Sequence, residues 1–302
     1  MNRRAWANIL VLVVVLTVVM AAVLKLQQFK VWERLFFNVS EVFGANSECL
    51  QGGCIQSYEV DMQRKVVAGA ESLSSLTYNS LSGTFYTVSD DTHEVVELDR
   101  KGNVIRRIKL SGFDEVEGIE HVEGNVYLII EEPSQKISTV VIDEKTTVID
   151  SAVASLSVAI ELNGNKGFEG LAYDRQSGNI IIAKERDPVR IYSIKGFPDK
   201  TGRPTKDLTI TSDEQRTQAL FLRDVSGLEF DPNTSHLYIL SHESKLIIEL
   251  NKEGKAISTL SLLKGQNGLM KTIPQAEGIA LTPDGTLYVM SEPNLLYSFK
   301  KN

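Results

Sequence analysis

A three-residue phrase returns five times along the chain: Ser74-Ser75-Leu76, Glu117-Gly118-Ile119, Glu169-Gly170-Leu171, Ser226-Gly227-Leu228 and Glu277-Gly278-Ile279. Its first residues are spaced by 43, 52, 57 and 51 positions. Units of that length suit four-stranded propeller blades of about 40–50 residues with some long loops. Each phrase opens an apolar run that ends in a turn: Ser82-Gly83, Gly124-Asn125, Ser177-Gly178, Asp231-Pro232-Asn233 and Pro283-Asp284-Gly285. A β-rich run follows each turn, at 84–88, 125–130, 179–183, 237–240 and 286–290. Outer strands are clearest at 94–98 with 104–110 and at 246–250 with 256–262, joined by Gly- and Asn/Asp-containing turns that favour hairpins.

The last unit falls one strand short, and a strand candidate at 58–68 lies unclaimed before the first. Pairing the two closes the ring and leaves no open sheet edge, which an open array of meanders would expose. The expected fold is therefore all-β, a five-bladed β-propeller rather than a six-bladed one, over residues 57–302.

The preceding sequence is of another kind. Arg3 and Arg4 are followed by an uncharged stretch at 5–24, and twenty residues at 1.5 Å rise span about 30 Å, the thickness of a hydrocarbon core. A cleaved secretory signal is the rival; its apolar core is shorter, at about 7–15 residues, and Ala21-Ala22-Val23-Leu24-Lys25 makes a poor cleavage site. Residues 1–28 are thus expected to be a cytoplasmic stub and transmembrane anchor, and 29–56 a linker or stem. Phe29, Trp32, Phe36, Phe37 and Phe43 suggest an interfacial helix in that stem.

Positive charges flank the apolar segment on both sides, so they do not orient it. Cys49 and Cys54, the only cysteines, suit a small disulfide loop in an oxidising compartment; a reduced pair is the alternative. The disulfide favours a single-pass inner-membrane protein with its N-terminus cytoplasmic and its ring periplasmic. A net charge of −7 and the lack of a basic cluster in the ring argue against nucleic acid.

Two acidic columns carry the chemistry. Ser74, Glu117, Glu169, Ser226 and Glu277 stand where first strands start. Aligning second strands on Tyr86, Tyr127, Ile181, Tyr238 and Tyr288 puts Asp90, Glu131, Glu185, His242 and Glu292 at their ends, toward the same mouth of the ring. Carboxylates gathered around a narrow axis repel unless cations intervene. Ca²⁺, with its flexible oxygen shell, fits Glu117, Glu169, Glu277, Asp90, Glu131, Glu185 and Glu292 as candidate ligands. Lys184 and Arg186 flank Glu185 and offer ion pairing instead. A structural alternative has the glutamates accepting backbone N–H bonds from the neighbouring blade.

The Glu-Gly-Ile/Leu phrases, the run Leu287-Tyr288-Val289-Met290-Ser291-Glu292-Pro293-Asn294 and the apolar segment before the ring resemble the SdiA-regulated (YjiK-like) family of bacterial envelope proteins. More distantly, the ring is similar to propellers with NHL-type repeats and to esterase-like phytase propellers. The resemblance implies an anchored propeller with calcium binding and no established activity. Two functions follow as expectations: a module binding an envelope ligand or protein, or a calcium-dependent hydrolase of lactonase, esterase or phosphatase type with His242 or Glu185 as base. No Gly-x-Ser-x-Gly elbow or His-Glu-x-x-His helix is present.

Overall fold

The computed structural model describes residues 3–28, 35, 37, 39, 49, 53–158, 160, 167–199 and 201–301. Five antiparallel sheets follow one another around a closed ring. Blade 1 comprises Leu73–Asn79, Thr84–Ser89, Glu94–Leu98 and Val104–Leu110, with the short strand Val148–Ile149 added in parallel at its outer edge. Blade 2 comprises Val116–Glu123, Val126–Glu131, Lys136–Val141 and Ala154–Ser157, and blade 3 Phe168–Asp174, Asn179–Lys184, Arg190–Lys195 and Thr209–Ser212. Gly227–Asp231, His236–Ser241, Leu246–Leu250 and Ala256–Ser261 form blade 4.

Blade 5 takes Gln275–Leu281, Leu287–Glu292 and Leu295–Lys301 from one end of the ring sequence and Tyr58–Val66 from the other. Tyr58 pairs with Lys301 and Val66 with Leu295, so the expected closure is present. Five blades are seen, and each recurring phrase lies at the start of an innermost strand.

The sequence pattern follows from position in the ring. Second strands are buried on both faces and read as unbroken apolar runs, as in Ile180, Ile181 and Ile182. In the outermost strand Tyr58–Val66 only Tyr58 is fully buried and the other residues are half-buried or exposed, because only one face meets the core. Five apolar clusters lie between adjacent blades rather than within them. Phe85 of blade 1 meets Tyr288 of blade 5 at 4.5 Å between ring centroids, and Tyr86 meets Tyr127 of blade 2 at 4.8 Å. Close aromatic pairs of this kind add about 0.5–1.5 kcal/mol each beyond their burial.

Upstream, Arg3–Gln28 is one helix whose described side chains, at 8 and 10–23, are all exposed. Among the described residues no helix is long and apolar enough to cross a membrane. Trp32 and Phe36 of the expected stem helix lie outside the described residues, whereas Leu35, Phe37 and Val39 are helical. Phe37 is buried against Phe221 at 5.1 Å, in the core between blades 3 and 4. Cys49 and Cys54 are disulfide-bonded and pack on Ile257 of blade 4. Just beyond them, Ile55 N–H donates to Glu249 Oε2 at 2.9 Å.

Candidate functional site: an acidic mouth on the ring axis

The first acidic column is built by β-bulges. In blade 2, Val116 pairs with Glu131 and Gly118 with Ile130, so Glu117 is the extra residue; the same skip leaves Glu169 unpaired in blade 3 and Glu277 in blade 5. A bulge re-aims its side chain away from the regular alternation. Here it turns three carboxylates toward the mouth. The following glycine has a steric reason in two blades. A Cβ on Gly278 would meet the Ser75 carbonyl and lie 2.8 Å from Leu76 N, and one on Gly170 would lie 2.7 Å from Leu228 Cγ. At Gly118 the nearest atom would be at an ordinary 3.4 Å, so close approach does not explain that glycine.

The second column needs one correction. Glu131 does not face the mouth: its Oε2 lies 2.6 Å from Lys136 Nζ on the next strand outward, and its Oε1 accepts from Asp114 N–H at 3.1 Å. Glu132 takes the axial place. The pairings of Ser89 with Leu73, Glu131 with Val116 and Lys184 with Phe168 make Glu131 the last paired strand residue, equivalent to Ser89 and Lys184. The residues one further on are Asp90, Glu132, Glu185 and, by the same count, His242. Blade 2 turns tightly between Glu123 and Val126, with a second bulge between His121 and Glu123, so aligning its tyrosine with the others shifted this blade by one residue.

The mouth divides into three groups. Ligand atoms of Glu132, Glu169 and Glu185 all lie within 4.8 Å of one another. Ser74 bridges Glu117 and Glu292, the latter at 3.5 Å. His242 Nδ1 stands 3.3 Å from Glu277 Oε1. Asp90 is half-buried, with His93 Nδ1 at 3.8 Å from its Oδ1. Of the seven carboxylates expected as ligands, the structure thus brings only Glu169 and Glu185 within shared coordinating distance, and adds Glu132.

Burial and like charge shift several groups around the mouth. Burial, then repulsion from Glu185, Glu277, Glu132 and Glu117, pushes the Glu169 carboxyl up to about 10. Burial raises Glu117 to about 7, opposed by its bond to Ser74 and reinforced by Glu132, Asp90 and Glu292. Glu185 also rises to about 7, burial outweighing the pull of Arg186. Glu292 is raised by burial and by Glu277. The hydrogen bond that His242 donates to Glu277 raises the imidazole, which favours the imidazolium and suits an acid or a positive contact better than a base.

Blade-to-blade hydrogen bonds here run through serines and through Glu132, whose Oε1 accepts from Gly167 N–H at the start of blade 3 at 3.0 Å. Ser75 Oγ both donates to Ile119 O at 3.2 Å and accepts from Ile119 N at 3.1 Å, while Ser226 Oγ donates to Ala276 O at 2.6 Å.

Arg186 is the ion-pairing partner expected beside Glu185, with Nε 2.9 Å from Glu185 Oε1. Lys184 instead turns inward, fully buried, and donates to Asp187 O at 3.3 Å. Sequence reasoning passed over Glu132, Glu243 and Arg223. Only strand register could have found Glu132; Glu243 and Arg223 become neighbours of the mouth through loops of different blades. At the opposite opening Glu120, Glu229 and Arg175 line a smaller cavity of 230 Å³, also unforeseen.

A closed five-bladed ring with a carboxylate-lined opening on its axis defines the class. Within that class, this chain belongs to the SdiA-regulated family, whose sequence model matches residues 51–300. Solved structures of similar shape include a luciferin-regenerating enzyme, at 12% identity and TM-score 0.49, covering 79% of this chain and 95% of that one. A chain of a nidogen/laminin complex gives 16% and 0.44, covering 74% and 73%. Streptogramin B lyase gives 10% and 0.44, covering 81% and 98%.

Proposed function

We propose that this protein is a membrane-anchored propeller of the cell envelope whose mouth binds a divalent cation, calcium, and presents the loaded opening to a ligand or partner protein. The observation that carries the reading is the convergence of Glu132, Glu169 and Glu185 from two blades to within 4.8 Å. Three carboxylates supply three to six oxygens, and Ca²⁺ completes a shell of six to eight with water or ligand atoms in flexible geometry. A cation there also offsets the burial and repulsion that push the Glu169 carboxyl up.

The anchor rests on the uncharged stretch at 5–24 and on the helix that contains it. The envelope location rests on the Cys49–Cys54 bond, which suits an oxidising compartment. A hydrolase would need a base beside the metal, and both candidates are engaged: His242 with Glu277, Glu185 with Arg186. We therefore favour binding over catalysis.

The test is calorimetric unfolding of the full chain in detergent. Ca²⁺ is expected to raise the transition and a chelator to reverse it; an unchanged transition refutes the cation reading. Protease protection in sealed inner-membrane vesicles tests the orientation, with the ring expected to be cut only from the periplasmic side.

A further inference from the structure

The side of the ring that receives the N-terminal segment carries an exposed patch that the fold does not use. Phe37 packs in the cluster between blades 3 and 4 with Ala256, the first residue of blade 4's outermost strand. Further along, Gln56 N–H donates to Ser258 Oγ of the same strand at 3.0 Å. The segment thus meets the rim of blade 4 at both points before it becomes the outermost strand of blade 5. Phe37 is nine residues beyond Gln28, the end of the N-terminal helix, and nine residues reach at most about 30 Å.

Blade 4's outermost strand leads into an ordered loop, 262–275, that bridges the rims of blades 4 and 5. Asn267 O accepts from Val60 N–H at 2.9 Å, Met270 N–H donates to Gln63 Oε1 at 3.1 Å, and Leu262, Leu269 and Ile273 are buried. Bridging explains those residues. It does not explain Leu263 and Met270, which are 42% and 68% exposed, or Lys264 and Lys271, exposed beside them.

The loop holds no acidic residue, in a chain of net charge −7. Together with blade 5's outer strands Tyr58–Val66 and Leu295–Lys301, it carries Arg64, Lys65, Lys264, Lys271, Lys300 and Lys301 against Glu59 and Asp61. Asp61 is itself paired with Lys300 at 2.8 Å. At the loop's end Pro274 O accepts from Lys245, which offsets the mouth carboxylates Asp224 and Glu277 on that side.

Resting on the anchor reading above, we infer that loop 262–275 docks the ring, rim first, on an anionic lipid surface, the bilayer that holds the N-terminal helix. Leu263 and Met270 enter the headgroup boundary while Lys264 and Lys271 meet lipid phosphates, the division of labour of interfacial segments. Each lysine brought to an anionic leaflet strengthens the contact about fivefold. The tether makes so small a surface sufficient, because it keeps the ring close to the bilayer at all times. Blade 4's outer strand, six residues or about 20 Å long, spans from the Phe37 contact to the loop. Leu35 and Val39, one helical turn apart and 51% and 45% exposed, turn a second apolar face outward beside Phe37.

The test uses the full chain reconstituted into vesicles that contain phosphatidylglycerol and a headgroup-nitroxide lipid. A bimane label is placed on Met270→Cys and, as the control, on Val141→Cys, exposed in blade 2; the native cysteines are paired and do not compete. The Met270→Cys label is expected to lose at least about half its emission, as a probe about 5–10 Å into the headgroup boundary should, and the control to lose little. Lys264→Glu combined with Lys271→Glu, or vesicles of phosphatidylcholine alone, should return the emission to the control level. Alkaline carbonate extraction of the same samples reads the anchor separately. A chain that resists extraction while its Met270→Cys label is quenched no more than the control overturns this inference and leaves the anchor standing; a chain that extracts freely overturns both. Quenching that persists after both charge reversals or in neutral vesicles overturns it too. So does a label shielded from aqueous iodide yet untouched by lipid nitroxide, which would assign the patch to a protein partner or a second copy of the chain.

Discussion

Replacing Glu169 by Gln discriminates sharply between a ligand-binding and a structural carboxylate, because the two roles predict opposite signs. In the ion-free ring, burial and four neighbouring carboxylates push Glu169 up to about 10 from its ordinary value near 4.5. Between those values the folded chain holds one more proton than the unfolded chain. Stability must then fall as pH rises, by at most about 1.4 kcal/mol per pH unit. From pH 5 to 7.5 the upper bound is about 3.5 kcal/mol, and sharing of the proton with Glu185 reduces it to about 1–3 kcal/mol. Gln keeps the shape and removes the titration. In chelator at pH 7.5 the variant should unfold about 2–12 °C above the wild type, using about 2–4 °C per kcal/mol for a domain of this size. At pH 5 the two should coincide. Adding Ca²⁺ at pH 7.5 should raise the wild type and leave the variant nearly unmoved. Scanning calorimetry of the full chain under these four conditions measures all of this. A variant less stable than the wild type in chelator at pH 7.5 would mean that the carboxylate holds the fold together, and would refute the reasoning.

Further outcomes follow from neighbouring residues. Glu132→Gln should abolish the Ca²⁺ shift, whereas Glu131→Gln should keep it and lower stability by about 1–3 kcal/mol, because it breaks a buried pair with Lys136; equal effects of the two on the shift would overturn the register assignment. Gly278→Ala should cost more than about 3 kcal/mol in denaturant unfolding, since its Cβ meets the Ser75 carbonyl, while Gly118→Ala should cost less than about 1 kcal/mol. In Glu277→Gln the NMR titration of His242 should move down, since Glu277 is the main cause of its raised value. The wild-type pair stabilises the ring fully below the ordinary histidine value near 6.5, and that contribution is lost as pH rises through the raised one. Removal of 58–66 should expose the edge of Leu295–Lys301 and drive aggregation, visible by light scattering.

The ring was legible because its repeat is carried by local chemistry. Turn residues and apolar runs recur in each blade, and the closing strand announced itself as the one run with no partner nearby. The mouth was only half legible. The bulged glutamates share a phrase with their glycines and align by inspection. The second column depends on register, which Tyr127 misreports: its hydroxyl accepts from Asn79 Nδ2 at 2.7 Å in the neighbouring blade, and it occupies the position before the true counterpart of Tyr86. A one-residue slip flips a strand's side chains to the other face, and here it exchanged an outward ion pair for an axial ligand. The Arg186–Glu243–Arg223 bridge joins loops of two blades some 40 to 60 residues apart, and no local pattern encodes it.

The distribution of roles within the recurring phrase bears on function. Of the two serines that stand in the glutamate position of the phrase, Ser226 donates to Ala276 O of the next blade and Ser74 donates to Glu292 Oε1. Glutamates in the bulges of blades 2 and 3 instead gather beside other carboxylates, where burial and repulsion oppose their ionisation, while that of blade 5 faces His242. Serine would serve the fold at those positions without that electrostatic cost. Glutamate there is stabilised only when something positive enters the mouth, and Arg186 neutralises one member of the cluster while Glu132 and Glu169 still face each other across the opening. The acidic half of the phrase is therefore best explained by a cation that the fold itself does not supply.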